Sequence, residues 1–170
     1  LCSMPEFDWF LIGVQWFFPE AHAQFVAAIP EAERGDLLAA FARRLFSDDV
    51  DENLQAARTW SRYEGSCLHL LPHPEVADEF GSDAVALGLG RLEAHYFRHD
   101  AFLGDNQLIR NVDRIRHLPA VIIQGRYDVV CPPRSAWALH QAWPEARFQM
   151  IEHFTDEELS PGIKRGGVLN

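Results

Sequence analysis

Leu118-Pro119-Ala120-Val121-Ile122-Ile123-Gln124-Gly125-Arg126-Tyr127-Asp128-Val129-Val130-Cys131-Pro132 is the stretch that decides the fold. Ala120 to Gln124 is a short β-branched run bounded by Pro119 and Gly125, the pattern of a strand buried in a parallel sheet. Ser135 to Trp143 follows with helical spacing behind Pro132 and Pro133, and Arg147 to Glu152 reads as a second strand. One strand–helix–strand unit cannot cover both faces of a parallel sheet, and two strands leave long edges unpaired. The segment is therefore expected to be the edge of a larger sheet.

Upstream of Leu118 the sequence changes character and reads as helix. Residues 5–18 carry Phe7, Trp9, Phe10, Trp16, Phe17 and Phe18 at spacings of three and four, as on the buried face of one helix or two short ones. Pro19 is expected to interrupt that run. Residues 30–46 open with Pro30, Glu31, Glu33 and Asp36, which suit a helix N-terminus. They close with Arg43 and Arg44, which suit a C-terminus. Ser47-Asp48-Asp49 reads as a turn with a new N-cap, leading into a helix from about Glu52 to Cys67. Leu70 to Pro74 is expected to be a loop, residues 83–97 a helix, and Leu103 to Arg116 a loop with a short helix. Gly88 and Gly90 weaken the 83–97 helix by about 1 kcal/mol each relative to Ala, but allow close packing. The fold class is thus α/β, with a mainly helical domain over residues 1–116 and a strand–helix–strand segment over 117–170, incomplete as a fold by itself.

Composition narrows the function. The chain has 170 residues, 48% of them apolar, with five Trp and twelve Phe, enough to build a core. The net charge of −10 argues against nucleic acid and against an anionic membrane surface, both of which select clustered Lys and Arg. Cys2, Cys67 and Cys131 are far apart and odd in number, so neither a disulfide framework nor a zinc site is expected, and a reducing cytoplasm fits best. No apolar run is long enough to span a bilayer, and no secretory signal is visible. His69 with His73, and His95 with His99, are each four apart, but Pro72 interrupts the first pair and no third ligand accompanies the second.

Asp128 is the sharpest candidate for chemistry. Functional groups in open α/β sheets collect at the carboxyl ends of strands, and Asp128 follows one directly. It could be the acid of a Ser–His–Asp triad, or a turn former, or the cap of the helix beginning near Ser135. A further signal is the ordered series of motifs along the chain. These are F-F-P-E-A-H, I-P-E-A-E-R-G-D-L-L, A-A-R-T-W-S-R-Y-E-G, L-G-R-L-E-A-H-Y-F, N-Q-L-I-R-N, G-R-Y-D-V-V-C-P, S-A-W-A-L-H and A-W-P-E-A. Together they resemble the C-terminal part of the proline iminopeptidases, α/β-hydrolase serine peptidases that release N-terminal proline from peptides.

The resemblance implies that residues 5–116 are the helical cap inserted into the hydrolase sheet and that Asp128 is the triad acid. It also implies that Glu64 and Glu93 bind the free α-amino group of the peptide, a task suited to buried carboxylates. The alternative for these two is structural pairing with Arg62 or Arg91. Trp9 and Phe10 could line a proline pocket or simply belong to the core. No metal or organic cofactor is implied, and the partner is a peptide with N-terminal proline.

The sequence departs from the family pattern in three ways. No G-x-S-x-G nucleophile elbow occurs, there is no glycine-rich oxyanion loop, and Asp156 stands where Pro161-Gly162 would align the catalytic histidine. His153, three positions earlier, is a weak substitute, and Ser3, Ser61, Ser66 and Ser135 are poor nucleophile candidates. The isolated chain is therefore expected to be inactive. It is also expected to expose apolar surface where further strands would pack and to tend to associate or aggregate; an alternative reading is an enzyme half that meets a separate N-terminal chain carrying the serine. The competing readings are a non-catalytic module that binds peptide N-termini, and a truncated gene product.

Overall fold

A computed structural model describes residues 4–69 and 73–152. These residues are mainly helical, with eight α-helices and one two-stranded parallel sheet. They form two compact units. One holds the described residues up to Asn111 together with Val129–Cys131; the other holds Val112–Asp128 and the described residues from Pro132 onward.

The first unit contains α1 (Met4–Leu11), α2 (Pro19–Ala27), α3 (Leu37–Leu45), α4 (Val50–Cys67), α5 (Pro74–Phe80), α6 (Asp83–Arg98) and α7 (Gln107–Arg110). Its longest helix, α4, starts where the capping chemistry dictates. Asp49 accepts from the amides of Asp51 and Glu52 at 3.0 and 3.1 Å, and those two acids face the positive end of the helix dipole. The first turn of α6 is tied to α4 by Arg58, which donates to both oxygens of Asp83 at 2.6 and 2.9 Å. Gly90 lets α6 approach closely: a Cβ there would lie 3.2 Å from Leu45 and 3.6 Å from the Cα of Ala57. Gly88, by contrast, faces open space.

The core of this unit is aromatic. Phe25 stacks on Phe41 and Tyr63 with ring centroids 4.2 and 4.4 Å apart, and Phe10 meets Trp60 and Tyr63 at 5.4 and 5.3 Å. Phe25, Phe41, Trp60, Ile29 and Leu45 are fully buried. Each such side chain contributes roughly 1.5–3 kcal/mol by leaving water, and well-oriented ring pairs add about 0.5–1.5 kcal/mol.

Pro19 ends the aromatic run as expected and also begins α2; Pro74, expected to close a loop, begins α5, each in the first turn of a helix, where the missing N–H costs nothing. Residues 70–72 of that expected loop lie outside the described residues. Residues 31–33 form a 3-10 turn, and the helix expected from Pro30 begins at Leu37. There Asp36 accepts from the Ala39 amide at 2.9 Å. Glu33, expected to serve a helix N-terminus, instead pairs with Arg43 and Arg44.

The second unit contains β1 (Val121–Gly125), α8 (Pro133–Ala142) and β2 (Arg147–Ile151). The strands are parallel, in a register that runs from Val121 opposite Arg147 to Gly125 opposite Ile151. Val112, Trp143 and Ala146 form the core, with Ile122 and Leu139 packed against them. Arg116 holds this arrangement from outside, donating to Glu145 at 2.7 Å and to Asp113 at 2.9 Å. β1 is not buried on both faces as its apolar run suggests. Val121 and Ile123 are 57% and 63% exposed, because α8 covers a single face. No helix among the described residues is long and apolar enough to cross a membrane.

Candidate functional site

Glu64 and Glu93 come together inside the first unit. Glu64 lies on α4 one turn after Trp60, so both side chains leave the same helix face. Glu93 projects from α6, which packs along α4, and accepts the Trp60 indole N–H on Oε2 at 2.7 Å. Glu64 is only 7% exposed, and its Oε2 has no hydrogen-bond partner among the described residues. The arginines that might have neutralised the pair point elsewhere. Arg62 pairs with Asp78 at 2.9 Å; Arg91 donates to the Leu45 carbonyl at 2.7 Å and lies over the Phe46 ring. Among the described residues neither Arg62 nor Arg91 forms an ion pair with these acids, the alternative open at the sequence level.

Burial pushes the Glu64 carboxyl up to about 9, and the neighbouring Glu93 charge adds to the rise. Burial also raises Glu93, but the Trp60 N–H and the Glu64 carboxyl pull it back. Three residues on from Glu64, Cys67 is buried and its thiol is pushed up to about 12, by burial first and then by Glu64 and Glu20. Tyr63 is raised by burial as well, and its hydroxyl donates to the Phe10 carbonyl at 2.9 Å. Two carboxyls without a cationic partner among the described residues, one of them with an unused acceptor, form a site that a small cationic N–H donor would complete.

Asp128 belongs to the second unit and follows β1 directly. It is exposed and forms a turn in which its amide donates to the Gly125 carbonyl at 3.4 Å and its Oδ2 accepts from Gln124 Nε2 at 3.4 Å. Pro132 occupies the N-cap of α8. His153, Asp156, Pro161 and Gly162 lie outside the described residues.

No protein-family model matches the chain. It is 42% identical over 165 residues to a probable proline iminopeptidase of Leptolyngbya boryana, a match covering 96% of this chain and 51% of the relative. Identity is also 42% to the proline iminopeptidase of Arabidopsis thaliana, over 96% of this chain and 44% of the relative. It is 44% to that of Xanthomonas citri, over 85% and 47%. The chain is a homologue of the proline iminopeptidases. It spans about half the length of the curated relatives it matches.

The remaining candidates in this proline iminopeptidase homologue separate cleanly. Phe10 is a core residue, packed against Trp60, Tyr63 and Phe97. Trp9 is half-buried and donates its indole N–H to the Val129 carbonyl at 2.7 Å. The rings of His95 and His99 lie 4.7 Å apart, with Phe102 stacked on His99. Among the described residues no group of three or more His, Cys, Asp or Glu could hold a metal. Ser61 and Ser66 donate their hydroxyls to the carbonyls of Ala86 and Arg62. Trp60 is the site residue that sequence reading missed. Its signal was present in W-S-R-Y-E: a tryptophan one turn from a buried acid, whose N–H needs an acceptor if it is itself buried.

Proposed function

We propose that the chain is the C-terminal portion of a proline iminopeptidase, a serine hydrolase of the α/β-hydrolase class that releases N-terminal proline from peptides. In this reading the first unit is the substrate-binding cap, and the second is part of the hydrolase sheet. Glu64 and Glu93 receive the ammonium of the N-terminal proline. Asp128 accepts from a histidine Nδ1–H, fixes its tautomer and stabilises the imidazolium while serine carries the acyl group. The serine, its oxyanion loop and the histidine come from outside the motifs found in these 170 residues, and the chemistry needs no cofactor.

The observation that carries this reading is the pairing of buried Glu64 with half-buried Glu93, with an unpartnered Oε2 on Glu64 and no arginine paired to either acid among the described residues. A fold gains nothing from placing two acids together without a counter-ion, whereas an aminopeptidase needs that arrangement to recognise a terminal ammonium. Homology to chains named proline iminopeptidase over nearly all of the sequence supports the substrate class. The test is calorimetric titration of the chain with L-prolinamide. Binding that weakens about tenfold or more in Glu64→Gln and in Glu93→Gln, as for loss of a charged hydrogen bond, supports the reading. Binding unchanged in both variants refutes it.

A further inference from the structure

The carboxyl pair has a third member. Trp60 is fully buried and is held by the rings of Phe10, Phe25, Phe41 and Phe97, with centroids 5.4 to 5.9 Å away. Contacts of that kind can be met by any aromatic ring, whereas the N–H is specific to indole. That N–H ends on Glu93 Oε2 at 2.7 Å. An indole N–H can only donate and does not titrate near neutral pH, so the oxygen that accepts it is favoured in its ionised form. Glu64 gains no such donor on Oε2. Two acids that repel each other in one site are thereby made unequal.

The remaining groups around the pair do not reverse this. Tyr63 and Cys67 on α4 are buried and raised, hence neutral near pH 7, and Glu20 on α2 acts on Cys67. Arg62 and Arg91 are engaged with Asp78 and the Leu45 carbonyl.

We infer that Trp60 is the positioning residue of the ammonium site: its indole N–H holds Glu93 as the standing carboxylate and leaves Glu64 to carry the proton until a cationic ligand arrives. The functional half of this statement rests on the ammonium-binding reading of the pair. Without a cationic ligand the pair then carries one charge rather than two. An N-terminal proline, whose secondary ammonium has two N–H groups, gives one to Glu93 and the other to Glu64 as that carboxyl loses its proton.

The test is an NMR pH titration of the glutamate carboxyls in the chain and in Trp60→Phe, which keeps an aromatic ring and removes the N–H. In the unsubstituted chain Glu64 titrates at higher pH than Glu93. In Trp60→Phe the gap narrows by about one pH unit, a tenfold change in relative acidity, and L-prolinamide binds about tenfold more weakly, the size expected for losing a hydrogen bond to a charged group. A residue that only fills the core would lower the melting temperature and leave the titration order alone, which would overturn the inference. Should Trp60→Phe not fold, the indole N–H resonance of Trp60 decides. It moves in Glu93→Gln and stays in Glu64→Gln if the inference holds, and equal movement in both overturns it. Absence of prolinamide binding to the unsubstituted chain would instead sink the ammonium-binding reading, with the titration order still deciding the role of Trp60.

Discussion

Replacing Glu64 with glutamine should stabilise the chain at alkaline pH. The Glu64 carboxyl is pushed from an ordinary 4.5 up to about 9, by burial and then by Glu93. Between those values the folded chain holds a proton that the unfolded chain has released, so stability falls as pH rises through that window. One fully differential proton is worth about 1.4 kcal/mol per pH unit, which gives up to about 3 kcal/mol between about pH 6 and about pH 8. For a chain of this size that is a melting-temperature difference of roughly 6–12 °C. A glutamine at this position would have no charge to bury, and its amide could donate to Glu93, so the variant loses this slope. The assay is urea unfolding followed by tryptophan fluorescence from about pH 5.5 to about pH 9, on both proteins. The difference between the two curves reports Glu64 together with its effect on Glu93, the group coupled to it. Parallel curves, or a glutamine variant less stable than the parent at the alkaline end of the range, would refute the reasoning.

Further outcomes follow from the geometry. Gly65→Ala places a Cβ 2.9 Å from Phe80 Cβ and 3.0 Å from the Ala77 backbone, and should cost about 1–3 kcal/mol in chemical denaturation. Gly88→Ala, facing open space on α6, should instead gain up to about 1 kcal/mol from helix propensity. Asp49→Ala strips two amides at the start of α4 of their acceptor and should cost about 1 kcal/mol in the same assay. A serine-directed fluorophosphonate should leave the 170-residue chain unlabelled, since no G-x-S-x-G occurs in it; stoichiometric labelling would contradict that expectation.

The parts of the fold written in local chemistry were legible from the sequence. An N-cap within residues 47–49, the helices around Glu64 and Glu93, and the pair of strands flanking a helix all follow from caps and periodicity. What was not legible depended on choosing between two uses of one residue. Pro74 was read as the end of a loop, yet it begins α5, because a proline suits the first turn of a helix as well as a loop. The apolar run of β1 reads as buried on both faces, yet Val121 and Ile123 face outward, because burial depends on what covers a sheet and not on its own residues. For the site, the acids could be named singly from their apolar surroundings. Their meeting could not, because it depends on how α4 and α6 pack. The role of Trp60 was hidden for the same reason, since its acceptor lies 33 residues away in the chain.

The most direct measurement of the central claim is the number of protons exchanged when the site fills. Calorimetric titration of the chain with L-prolinamide near neutral pH, repeated in buffers of different ionisation enthalpy, reports that number. If burial keeps Glu64 protonated until an ammonium replaces the proton, close to one proton is released per ligand bound, and Glu64→Gln abolishes the release. Binding without proton release would contradict the claim that this carboxyl pair is an ammonium site held ready by a proton.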